Sequence, residues 1–152
     1  MQSKLTNLMT LLLATALLAL SACATNKTAT LPQNILAAAQ EKAPNEQLDI
    51  VYIPAPPGFI APRLVKNEVV DKVDSAKVVD LITTLTVKSL TALVIGNNDA
   101  ITAATVSRAL VEGKEKIAGS KMIYVGGGDE LPNLSKLASN ANVSIEFMNE
   151  PK

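Results

Sequence analysis

The chain of 152 residues has no histidine, no tryptophan and one cysteine, and only two tyrosines and two phenylalanines. Without histidine, Ser–His–Asp triads and Cys–His dyads are excluded, and so are zinc sites that combine Cys with His. One cysteine cannot form a disulfide framework. Basic and acidic side chains number 14 each, so no net charge draws the chain toward nucleic acid or anionic lipid. What is present is apolar: 48% of the residues are hydrophobic, enough to pack a core, and the length suits a single domain.

The N-terminus reads as an address. Lys4 supplies a minimal positive region, and Leu8 to Leu20 is almost wholly apolar. That run has the length of a signal-peptide core and falls short of the roughly 20 residues of a membrane-spanning helix. It closes on Leu20-Ser21-Ala22-Cys23, two small residues and then the lone cysteine. These four residues resemble the lipobox of bacterial lipoproteins. The resemblance implies that residues 1–22 are a signal peptide removed before Cys23, that the Cys23 thiol is diacylated, and that the new N-terminus is acylated. Each acyl chain contributes about 0.8 kcal/mol per buried CH₂, and two membrane signals already give stable attachment. With its sulfur carrying lipid, the mature chain keeps no free thiol and no redox chemistry of its own. Ala24 rather than Asp after the cysteine implies the periplasmic face of the outer membrane in a Gram-negative host, and otherwise the outer face of the cell membrane.

Residues 23–46 are expected to hold the lipidated N-terminus, a tether and a short helix. The nine residues 24–32, ATNKTATLP, are small and polar, and extended they reach roughly 30 Å. A helix is expected from Gln33 to Lys42, with Ile35, Leu36 and Ala39 on one side and Pro44 ending it, either packed on the domain or within the tether.

From 47 to 152 the pattern alternates short apolar runs with amphipathic stretches. Strands are expected near 48–53, 91–95, 121–125 and 143–148. Helices are expected around Val78, Ile82 and Leu85 (capped by Asp74 or Ser75), from Ala100 to Glu112, and from Glu130 to Asn140 with Pro132 in its first turn. Strand and helix in alternation predict an α/β three-layer sandwich on a largely parallel four-stranded sheet, with the last strand at an edge.

Two loops leave the C-terminal ends of expected strands, Gly96-Asn97-Asn98-Asp99 and Gly126-Gly127-Gly128-Asp129-Glu130. In open parallel sheets ligands favour that end, and helix N-termini there can hold anions. Neither loop carries a phosphate motif: a dinucleotide fingerprint begun at Gly126 requires glycine where Leu131 stands, and no Lys-Ser or Lys-Thr follows a glycine run. Asp99 and Asp129 are expected as helix N-caps; as an alternative they form a carboxylate pair for acid–base work or, with Asn97 or Asn98, hold a divalent cation. Asn97, Asn98, Asp99, Gly127, Gly128 and Asp129 are the candidate ligand-binding residues. No cofactor and no metal is expected.

The segment from Pro54 to Pro62 holds four prolines in nine residues, an extended or turning loop that displays Phe59 and Ile60. Rigid Pro-rich backbone presents apolar side chains at low entropic cost. The pair is therefore a candidate partner-binding site, or else a lid folded over the core. An anchor, a tether and a compact domain without a reactive constellation together point to a non-enzymatic binding or assembly component of an envelope machine. The alternative is a domain that binds a small ligand or cell-wall fragment through the loops at 96–99 and 126–130.

Overall fold

The computed structural model describes residues 32–58 and 72–149. Cys23, Phe59 and Ile60 lie outside the described residues. The elements, in chain order, are α1 (Gln33–Lys42), β1 (Gln47–Ile53), α2 (Ser75–Thr86), β2 (Leu90–Gly96), α3 (Asp99–Glu112), the single turn α4 (Lys114–Ile117), β3 (Lys121–Val125), α5 (Leu131–Asn140) and β4 (Ser144–Met148). The four strands form one sheet in the order β1-β2-β3-β4. Every pairing is parallel, with Val51 opposite Val94, Val94 opposite Tyr124 and Tyr124 opposite Phe147. The expected α/β class therefore stands, and the sheet is parallel throughout. Both β1 and β4 are edges.

Alternation along the strands divides the apolar residues between two faces. Val51, Ile53, Ala92, Val94, Met122 and Tyr124 join a core with α2, α3 and α5, which contribute Val78, Leu81 and Leu85, then Ile101, Val106 and Leu110, then Leu134 and Ala138. Among the described residues, the crossover helices α2, α3 and α5 thus lie on one side. This is the outcome of winding a parallel sheet in a single direction with crossovers of one hand. Within α2, Asp74 accepts a hydrogen bond from the Ala76 N–H at 2.9 Å and is the N-cap.

The opposite face is also apolar: Leu93, Ile95, Ile123, Val125 and Met148 are buried there outside that core. It is the side of α1. Lys42 Nζ reaches Glu146 Oε2 at 3.5 Å, and Glu146 shares its face of β4 with Met148. Ile35 and Ala39 of α1 are fully buried, whereas Leu36, expected on the same side, is exposed. The turn after α1 is stitched down by Glu46, whose carboxylate accepts from the Thr91 hydroxyl and pairs with the Lys121 ammonium. The Lys121 ammonium, helped by Thr91, holds the Glu46 carboxyl below the usual carboxylate range. The helix is therefore part of the compact unit that begins at Gln33, not of the tether. Toward β1 this second face opens: Leu48 and Tyr52 are half-buried and Ile50 is 38% exposed.

Two buried layers predict two equally sensitive sets of side chains. Leu81→Ala on the helix side and Leu93→Ala on the α1 side should each cost about 2–5 kcal/mol in urea unfolding, because both leave cavities in packed surroundings. Ile50→Ala should cost less than about 1 kcal/mol. A small loss at Leu93 would contradict the second core.

Candidate functional site

In a parallel sheet all strands end on the same side, so the loops at 54–58, 96–99 and 126–130 share one end of the molecule. β2 and β3 are neighbours, which brings the two candidate ligand loops together. Asn97 and Asp99 are each tied to a neighbouring loop. Asn97 Oδ1 accepts from the Ala55 N–H at 2.6 Å and ties the loop after β2 to the loop after β1. Asp99 Oδ2 accepts from the Gly127 N–H at 3.4 Å, linking the loops after β2 and β3. The Gly126 N–H is bound in turn to the Met148 carbonyl at 3.0 Å, which links β4.

The start of α3 corrects an expectation. Its N-cap is Asn98, not Asp99: Asn98 has extended backbone (φ −151°, ψ 115°) and its side chain accepts from the Ile101 N–H at 3.1 Å. Asp99 is already helical, in the first turn, and its carboxylate is turned across to Gly127. Thr102 reinforces the cap, its hydroxyl donating to the Asn98 carbonyl at 2.8 Å. That hydroxyl leaves no space beside Gly96, where an added Cβ would stand 2.0 Å from Thr102 Oγ1 and 2.6 Å from the Ile53 carbonyl oxygen. Glycine is required there by close approach.

At the start of α5 the second expected cap is also absent. Glu130 occupies the N-cap position in helical conformation with no side-chain capping bond, and Pro132 sits in the first turn as expected. Asp129 is exposed and caps no helix. A helix whose first turn includes proline already lacks one donor, which weakens the demand for a cap. Gly127 is half-buried, and Gly128 is exposed at φ +104°.

Tyr124 was not singled out by its sequence, in which it is one more apolar position of β3. It is fully buried, stands edge-on to Phe147 with ring centroids 6.1 Å apart, and donates from its hydroxyl to the Asp99 carbonyl at 3.4 Å. Burial pushes its phenol above the ordinary tyrosine range, and the charges of Asp99 and Glu130 act in the same direction. The site therefore places a neutral phenol beneath the loop after β2, where it supports the loop.

Among the described residues no three Asp, Glu, Cys or His side chains gather in a way that could hold a metal ion. The order β1-β2-β3-β4 never reverses, so the sheet has no switch point from which neighbouring loops diverge to open a crevice. The described loops are cross-linked by Asn97 and Asp99. No protein-family model, curated protein or solved structure matches the chain.

The capping assignment has a direct consequence. Asn98→Ala should lower stability by about 0.5–2 kcal/mol, and Asp99→Asn, which leaves the cap intact, by less than about 1 kcal/mol; urea titration ranks the two. Tyr124 predicts an alkaline limit. In the unfolded chain its phenol ionises near pH 10, and its folded pKa is raised. The stability it supplies is thus complete below pH ~10 and is lost as pH rises toward the folded value. Its phenolate absorbance should appear together with unfolding, and Tyr124→Phe should extend the folded range upward.

Proposed function

We propose that this chain is a lipid-anchored lipoprotein of the bacterial envelope whose folded part works without catalysis, as a binding or assembly component of an envelope machine. The carrying observation is the placement of the only cysteine, directly after Leu20-Ser21-Ala22 at the end of an apolar leader. The anchor is Cys23, on the periplasmic face of the outer membrane in a Gram-negative host and otherwise on the outer face of the cell membrane. Among the described residues no helix is long and apolar enough to cross a membrane. The partner is an envelope protein, and the side chains proposed to meet it are Phe59 and Ile60.

The assembly reading is favoured over a small-ligand domain by the hydrogen bonds at the strand ends. Asn97, Asn98 and Asp99 are bonded to Ala55, Ile101 and Gly127, so a ligand there has to displace bonds already made. Exchanging one satisfied bond for another gains little free energy.

Bacteria expressing the full chain and fed an alkyne-labelled palmitate should incorporate label into the protein and carry it in the membrane pellet. Cys23→Ala should lose the label and move to the soluble fraction. An unlabelled wild-type precursor in the cytosol would overturn the proposal.

A further inference from the structure

The two edges of the sheet are not alike. β4 has five residues, and its exposed Glu146 is paired with Lys42. β1 has seven residues, QLDIVYI, without proline or lysine, and it pairs with β2 through seven consecutive positions without a bulge. Its other side meets no strand among the described residues. A long, unbroken edge offers free N–H and C=O groups to another strand, and charges, prolines and bulges are what ordinarily prevent this. β1 carries one charge, Asp49, which is half-buried and accepts from the Thr84 hydroxyl at 3.2 Å.

The side chains of β1 select the strand that fits. Leu48, Ile50 and Tyr52 alternate onto one face, and all three keep some exposure, Ile50 the most at 38%. The row is symmetric about Ile50. With a second β1 antiparallel to the first and the two Ile50 residues opposite each other, Leu48 faces the second copy's Tyr52 and Asp49 faces its Val51. This register gives all seven residues a partner, and no charge stands directly opposite a like charge. A slip of two residues one way sets Asp49 against Asp49. The same slip the other way leaves Gln47 and Leu48 beyond the end of the second strand.

A twofold axis normal to the sheet keeps the two faces of both copies continuous. Stable interfaces bury roughly 1,000 Å² or more in total, so a strand pair gains from a second layer of contact. α2 provides it. The bond from Thr84 to Asp49 places this helix over β1, and the same axis brings it beside its copy. Lys77, two turns before Thr84 on the same side of α2, is neutralised by Asp80 at 3.0 Å, so the helix contact carries no uncompensated charge there. We infer that β1 is a self-association edge, through which two copies of this chain join their four-stranded sheets into one of eight. The inference does not rest on the lipid anchor.

The test is cysteine cross-linking in intact bacteria that express the full chain. Opposed residues of antiparallel strands have Cα atoms about 4.5–5.5 Å apart, within disulfide range. Ile50→Cys, on the axis, should therefore give a reducible dimer on mild oxidation. Leu48→Cys and Tyr52→Cys should do so only when the two variants are expressed together. The unsubstituted chain, oxidised alongside, measures what Cys23 contributes, which bears on the anchor alone. Two differently tagged copies should also co-purify, and Ile50→Lys should abolish this while leaving the circular dichroism spectrum unchanged. No dimer from Ile50→Cys beyond that of the unsubstituted chain, or as much dimer from Leu48→Cys alone, would overturn the assignment. So would Ile50→Cys cross-links that run to other proteins and not to a second copy.

Discussion

The direction in which the sheet is wound governs everything else in this structure. Each new strand is added on the same side of the last, and among the described residues the crossover helices α2, α3 and α5 fall on one face. A parallel sheet in water needs both faces covered. α1 and its Glu46 turn, tied to Glu146, Thr91 and Lys121, lie on the side of the sheet where Leu93, Ile95, Ile123 and Val125 are buried. The clasp is polar at its margin, through Lys42–Glu146 and Glu46 with Thr91 and Lys121, and apolar beneath, through Ile35 and Ala39.

The same winding settles the chemistry available at the two ends. In doubly wound sheets the reversal of strand order parts two loops and makes a cleft. Here no reversal occurs; the loops after β1, β2 and β3 lean on each other through Asn97 and Asp99, and Gly126 ties the last of them to β4. Gly96 and Thr102 pack too closely for a side chain to intervene. At the end usually reserved for ligands, Asn97 and Asp99 are held by neighbouring loops. At the other end the Ser120 hydroxyl is buried without a hydrogen-bond partner among the described residues.

Much of this architecture was legible in the residues. Apolar runs such as LVI and MIYV, each interrupted by glycine, marked central strands, and Val78, Leu85, Ala103, Val106, Leu110, Leu134 and Ala138 marked helix faces that prove buried. The alternation in Ser144-Ile145-Glu146-Phe147 marked an edge. The misplaced details are local and instructive. Asn98 and Asp99 are both good capping residues and adjacent, and only the backbone angle at Asn98 decides between them. The cap expected at Asp129 is absent because the helix begins with Leu131-Pro132, one step later.

The chain's own pattern of apolar spacing, together with its glycines and prolines, determined the elements, their type and the parallel class. These are consequences of local periodicity, which a one-dimensional string records. Tertiary structure alone decided that the strands run β1 to β4 without reversal, that α1 lies on the second face, and that Ser120 lies buried without a partner among the described residues. Those depend on which residues distant in sequence come to lie side by side. Tyr124 beneath Asp99, and Lys121 against Glu46, are neighbours only because the strands that carry them are laid in that order.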